Sequence, residues 1–255
     1  MKKVAPAASL GLAGFLDAPE PSSGGYSINI EGLEGTGKTH LALTGPAPIA
    51  YLYGDRNAED VLRQAAKQGV AVYPQRFIWT FPPTEDLDVI ANSARPVWTK
   101  FVELYHRALN SQARTVVVDT GSFFWELRRA ARFGKLLKVP PIMYAEINTQ
   151  FSNLINSGRD SGRNVVWVHR LQDEWRDAKN EKGQSVRERT GKYVRQGFKE
   201  LGYEVQLSIR TERADEIGAF SCEVRKCTPA DLLVGQRFEG REVDLTKLLA
   251  LVEEV

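Results

Sequence analysis

The chain has only two cysteines, Cys222 and Cys227, among its 255 residues. Two thiols cannot staple a disulfide scaffold or build a four-cysteine zinc site. Their spacing of five would set them on opposite faces of a strand, as reduced thiols. An excess of one charge is lacking too: the net charge is +2, so any argument for a polyanionic partner must rest on local clusters. No apolar run approaches the ~20 residues of a membrane helix. The opening MKKVAPAASLGLAGFL faintly resembles a secretory signal, but Pro6, Gly11 and Gly14 interrupt it. Residues 1–24 are expected to be a mobile tail, with a short docking helix at Ser9 to Leu16, followed by one domain over 25–255. No membrane partner and a cytoplasmic location are expected.

What is present is an ordinary globular composition, 42% hydrophobic and 26% charged, enough for one large α/β domain. Strands are expected at Tyr26–Glu31, Ile49–Tyr53, Phe77–Phe81, Thr115–Asp119 and Asn164–Val168. Helices are expected at Lys38–Leu43, Ala58–Gln68, Pro96–Asn110 and Ile142–Ser157. Such alternation argues for an α/β fold with a mainly parallel central sheet flanked by helices. An antiparallel pair, Tyr203–Thr211 with Phe220–Arg225, and a helix at Leu245–Val252 are expected to close the chain. Residues 170–192 are polar and show no period; the expectation there is a long loop, either functional or disordered.

The stretch Gly32-Leu33-Glu34-Gly35-Thr36-Gly37-Lys38-Thr39 fits G-x-x-x-x-G-K-[ST] between a strand and a helix. Its glycines let backbone N–H groups turn toward phosphate oxygens, and the helix N-terminus adds its positive end. Gly32, Glu34, Gly35, Thr36, Gly37, Lys38, Thr39 and His40 are the candidate nucleotide contacts. Lys38 would reach the β- and γ-phosphates, and Thr39 would bind Mg2+. The buried run Val116-Val117-Val118 ends in Asp119, placed as the second metal-side group. Asp55 follows the second strand and is preferred over Glu59 as the group that orients water, against a plain Gly-Asp turn. His169 follows NVVWV at the strand tip; it is either a contact to the γ-phosphate or an ordinary surface histidine.

Arg128, Arg129, Arg132, Lys135 and Lys138 have no acid among them, which suits either phosphate neutralisation or the solvated face of a helix. Residues 170–192 carry seven cations against five acids, a weak case for DNA. Arg170 and Arg176 are the candidate contacts there. Trp175 would either stack on a base or pack back on the sheet. Phe123, Phe124 and Trp125, and likewise Tyr193 and Tyr203, read as packing residues.

No Asn-Lys-x-Asp guanine reader, no LSGGQ signature and no arginine-rich lid is found. The order of cradle, acid after the second strand, VVVD and a strand with a polar end resembles the RecA-like core ATPases over roughly residues 25–250. More closely it resembles phage-encoded AAA/RecA-like nucleotide-binding proteins, some of them core-only single-strand annealing recombinases. The resemblance implies a RecA-like P-loop core and ATP hydrolysis with Mg2+, stimulated by DNA. It implies action on single-stranded DNA in recombination, by annealing or strand exchange. It also implies a homo-oligomer with ATP at subunit junctions, in a bacterial host cell if phage-encoded. Residue by residue, it places Asp55 at the water-activating position, His169 at the sensor position, and Lys226 as a cation acting across a subunit interface. It makes Leu127–Pro141 and Arg170–Lys192 two DNA-binding loops. The alternative is a nucleotide-dependent loader acting on a replication or recombination partner, with Leu10 to Leu16 as its docking peptide.

Overall fold

A computed structural model of the chain describes residues 24–55, 57–136, 139–179, 184–214, 219–240 and 243–254. The N-terminal tail expectation, including Leu10 to Leu16, lies outside the described residues. In chain order the elements are β1 (Ser27–Gly32), α1 (Lys38–Ala42), β2 (Ile49–Tyr53), α2 (Ala58–Lys67), β3 (Val72–Arg76), α3 (Leu87–Leu109), β4 (Thr115–Asp119) and α4 (Gly121–Phe133). They continue as α5 (Ala145–Asp160), β5 (Asn164–Lys179), β6 (Ser185–Arg195), α6 (Leu201–Glu204), β7 (Leu207–Arg213), β8 (Phe220–Cys227), β9 (Arg237–Glu239) and α7 (Leu245–Glu254).

The sheet order is β3-β2-β4-β5-β1-β7-β8-β9, with β6 paired to the far half of β5. From β3 to β7 every pairing is parallel, and β8 and β9 run antiparallel. The α/β class, the mainly parallel sheet with flanking helices and the antiparallel C-terminal strands are all as expected. Period-two alternation splits the core. Val116, Val118, Val165 and Trp167 pack under α3, α4 and α5. Val117, Val166, Val168, Ile28 and Ile30 pack under α1, α2 and α7. Each such aliphatic side chain taken out of water contributes roughly 1.5–3 kcal/mol, which is why these runs fix the register.

Four expectations are corrected. The third strand is Val72–Arg76, not Phe77–Phe81: it is the outermost strand, mostly exposed, so it needs no apolar run. Helix α3 begins at Leu87, capped by the Asp86 carboxylate, and runs through Pro96. Proline removes one backbone donor, but Ile90, Ala91, Ala94, Trp98, Phe101 and Tyr105 bury one continuous face across it. Within 170–192 the described residues are strand rather than loop: β5 continues to Lys179 and β6, from Ser185, returns against it. Their mixed charges pair across the strands, Arg176 with Glu188, Arg187 with Asp177 and Arg189 with Asp173. Finally, both cysteines face the same core. The β7–β8 register shifts between Ser208 and Ile209, whose partners are Lys226 and Val224. Arg225 is thus an extra residue that turns Cys227 back to the face of Cys222. Burial pushes the Cys222 thiol up to about 11 and raises that of Cys227.

Candidate functional site

The loop after β1, the ends of β2 and β4 and the middle of β5 enclose a cleft of about 530 Å3, lined by residues 34–40 together with Asp55, Asn57, Asp119, Thr120, Arg170 and Gln196 among others. It opens on the α1/α2 side of the sheet. Gly37 sits at φ 82, a left-handed conformation that side chains resist, and a Cβ there would meet the Phe220 ring at 2.6 Å. Gly32 lies just behind the cleft, where a Cβ would meet the hydroxyls of Thr211 and Thr36 at 2.4 and 2.5 Å. Thr36 ties the loop down: its Oγ1 donates to the Leu33 carbonyl at 2.9 Å and lies 2.9 Å from Thr211 Oγ1. The sequence expectation leaned on a helix dipole. Because α1 has only five residues, that contribution is small, and the attraction for an anion falls to the loop N–H groups and Lys38. The Lys38 ammonium donates to the Leu33 carbonyl. Burial lowers its pKa, opposed by the nearby Asp119 carboxylate.

Asp119 is 1% exposed. Its Oδ2 accepts from Thr39 Oγ1 and from Tyr51 Oη, each at 2.7 Å. Burial pushes the carboxyl above its usual range, and those two donors pull the other way. Burial, with Asp119 beside it, likewise raises the Tyr51 phenol. Thr39 and Asp119 form an all-oxygen pair beside the cradle, the donor chemistry of a hard cation such as Mg2+, which takes its other ligands from phosphates and water. Tyr51 was missed from the sequence; its signal was a polar-tipped aromatic in the strand paired to β4. Thr120, joined to Asp119 by a cis peptide, caps α4 by accepting from the Phe123 N–H at 3.1 Å.

Asp55 stands in the cleft wall. Its Oδ1 accepts from the Asn57 N–H at 3.0 Å and its Oδ2 from Arg170 Nη2 at 3.0 Å. Glu59, the rival, is taken by Arg76.

His169 is corrected. It is 1% exposed and does not line the cleft. It packs beneath Gly121, where a Cβ would lie 2.5 Å from Nε2, and its Nδ1 is 3.1 Å from Asn29 Oδ1. Burial, helped by the Arg195 charge, pushes its pKa down to about 3. Because β5 does not end at Val168, His169 follows Val165 and Trp167 onto the α4 face. Arg170 follows Val166 and Val168 onto the cleft face. The polar group at that position is therefore Arg170, which the sequence reading had assigned to nucleic acid. Lys226, expected to act across a subunit interface, donates its ammonium to the Gly202, Tyr203 and Val205 carbonyls within its own chain. It closes the end of α6.

The first basic segment is mostly helix α4. Arg128, with its side chain 8% exposed, pairs with Glu146 at 2.8 Å and donates to Gln150; it is a packing residue, not a phosphate contact. Arg132 shares Glu146. Arg129 and Lys135 lie over the rings of Tyr144 and Phe81, and Lys138 lies outside the described residues. On the hairpin, Trp175 is 46% exposed, with the Arg189 guanidinium 5.2 Å above its ring. Phe124 is core, whereas Tyr203, expected to pack, is 89% exposed. The hairpin root meets the cleft. Ser122 Oγ donates to the Gln196 carbonyl at 2.7 Å and accepts from the Arg170 N–H at 3.1 Å.

No protein-family model matches the sequence, and no curated protein matches it. Among solved structures, the chain is similar to the RadB recombinase, at 14% identity and a TM-score of 0.47, over 84% of this chain and 87% of that one. It is also similar to a KaiC-like protein from Pyrococcus horikoshii, at 13% identity and a TM-score of 0.41, over 84% and 85%. Among the described residues no helix is long and apolar enough to cross a membrane.

Proposed function

We propose that the chain is a RecA-like nucleoside triphosphatase that binds and hydrolyses ATP and acts on single-stranded DNA in recombination, by annealing or strand exchange. The observation that carries the reading is the Thr39–Asp119 pair, 2.7 Å apart, at the mouth of the glycine-rich cradle. In this reading the Gly35–Thr39 loop holds the phosphates and Lys38 moves from the Leu33 carbonyl to the β- and γ-phosphates. Thr39 and Asp119 would hold Mg2+, which would supply charge neutralisation for the phosphates. Tyr51 keeps the Asp119 carboxylate oriented, and Asp55 takes the proton of the attacking water. ATP lies at a junction between copies of the chain, as in a core-only, phage-encoded recombinase.

What supports DNA is Trp175 on the β5–β6 hairpin, which rises from the cleft at Arg170 and Gln196; the indole is 46% exposed, while the hairpin cations Arg176 and Arg189 are paired with Glu188 and Asp173. An indole in that setting stacks on bases. The basic face of α4 no longer supports it, since Arg128 and Arg132 are held by Glu146.

The test is a gel shift on single- and double-stranded DNA with and without ATP, alongside phosphate release, repeated with Lys38→Ala. Expected are hydrolysis raised by single-stranded DNA and its loss in the variant. Hydrolysis unchanged in Lys38→Ala would overturn the assignment of the cradle; no DNA binding in any nucleotide state would overturn the assignment of the partner.

A further inference from the structure

Both oxygens of Asp55 are occupied, one by the Asn57 N–H and one by Arg170 Nη2, each at 3.0 Å. The Arg170 contact fixes how the Asp55 carboxylate is turned, while each oxygen keeps a second lone pair. Its partner is unlike a structural arginine. The Arg170 side chain is 51% exposed and lies in the same cleft wall as Lys38 and Asp119. Its backbone is pinned: the N–H donates to Ser122 Oγ, the carbonyl accepts from the Gln196 N–H at 2.8 Å, and the residue sits in register with Gly32, where the cradle begins. A fixed root and an exposed guanidinium make a side chain that can pivot within the cleft.

What would move it is a stronger anion. A terminal phosphate offers about two negative charges and three acceptor oxygens, and the guanidinium fork fits it better than a single carboxylate that is already shared. The Lys38 ammonium, already disfavoured by burial and by the Arg170 charge, gains from the same anion. A diphosphate brings no γ-phosphate to this wall.

We propose that Arg170 is a γ-phosphate-reading arginine that holds Asp55 while the cleft is empty or contains a diphosphate, and releases it when a triphosphate enters. The proposal rests on the reading of the cleft as a triphosphatase site. The acid that activates water is then unlocked by the substrate's own terminal phosphate. In the reaction the water oxygen bonds to the γ-phosphorus, and the bond from that phosphorus to the β–γ bridging oxygen breaks. The bridging oxygen keeps the electron pair, and the water proton passes to Asp55 and on to solvent. Arg170 stays on the γ-phosphate oxygens throughout. Once the phosphate leaves, it returns to Asp55. Because Arg170 and Gln196 form the root of the β5–β6 hairpin, the same movement is felt by the segment that carries Trp175.

The test is calorimetric binding of ADP and of the non-hydrolysable triphosphate AMP-PNP to the full chain, together with steady-state phosphate release. Three variants are compared with the wild type: Arg170→Ala, Arg170→Lys and Asp55→Asn. Arg170→Ala is expected to lose the preference for AMP-PNP over ADP, to keep its ADP affinity, and to lower the turnover number by ~100-fold or more. Arg170→Lys, which keeps the charge without the fork, falls between and serves should the alanine variant fold poorly. Asp55→Asn gives the sharper result. It removes the competitor for Arg170, so AMP-PNP binding tightens by about two- to fivefold, the worth of a half-exposed ion pair. ADP binding stays unchanged and hydrolysis is lost. An Asp55→Asn protein that binds AMP-PNP no tighter overturns the holding contact. An Arg170→Ala protein with wild-type preference and turnover overturns the phosphate-reading role. In both cases the triphosphatase reading stands. Wild-type protein that binds neither nucleotide overturns the triphosphatase reading instead.

Discussion

Thr39 and Tyr51 donate to one and the same oxygen of Asp119, each at 2.7 Å. The carboxylate is thereby aimed from two strands and a helix before any cation arrives. Burial raises the Asp119 carboxyl, and these two donors oppose that rise by favouring its ionised form.

Tyr51→Phe is therefore expected to cost about 1.5–3 kcal/mol of stability, the range for a hydrogen bond to a charged group. The sign with pH follows from the direction of the shift. Asp119 has a raised folded pKa, so its favourable contribution is full below the ordinary carboxylate range and is lost as pH rises through the raised value. The lost Tyr51 bond belongs to the ionised form. Urea unfolding should show a larger deficit in the variant at pH 8 than at pH 5; an equal deficit would mean that the phenol supports only packing.

His169 gives the opposite pH dependence. Its folded pKa is about 3, against 6.5 for the free group. It therefore contributes stability above 6.5 that is lost as pH falls toward the folded value. Between pH 7 and pH 5 the wild type should lose ~2 kcal/mol more than His169→Gln. Parallel pH profiles for the two proteins would show that the imidazole accepts its proton in the folded state.

Arg128 and Trp175 separate packing from recognition. Arg128→Ala removes a buried guanidinium with its bond to Gln150 and its ion pair with Glu146, which keeps Arg132, and is expected to lower stability by about 0.5–1.5 kcal/mol with no change in DNA affinity. Trp175→Ala should leave stability within about 0.5 kcal/mol and weaken single-stranded DNA binding by roughly 1–3 kcal/mol. The reverse pattern, read by thermal melts and gel shifts, would return the DNA contact to α4.

Gly37→Ala is expected to abolish nucleotide binding and to cost at least about 1–2 kcal/mol, because the left-handed backbone resists a Cβ and the Phe220 ring occupies its place. Calorimetric titration of the folded variant with AMP-PNP checks it; retained affinity would show that the loop can rearrange freely.

The sequence disclosed what is written in apolar runs and in special residues. Ile49–Tyr53 and Thr115–Asp119 match the strands found, and the glycine-rich stretch lies where a cradle must, between β1 and α1. Features that depend on parity or on partners were hidden. His169 and Arg170 are neighbours, and only the continuation of β5 past Val168 decides which of them faces the cleft. One inserted residue, Arg225, reversed the expected faces of the two cysteines. Balanced charges at 170–192 looked like a solvated loop because cross-strand pairing leaves no period in a single strand. Val72–Arg76 was overlooked because an outermost strand buries little.

The sheet order carries a consequence for synthesis. In space β5 lies between β1 and β4, but in the chain it follows both. A ribosome that has made the cradle and the VVVD strand has therefore made two pieces with no strand to join them. Lys38 and Asp119 take up their shared cleft only after residues 164–168 have emerged and slotted in. Until then the nascent chain displays two unpaired parallel edges, and no nucleotide can hasten its folding.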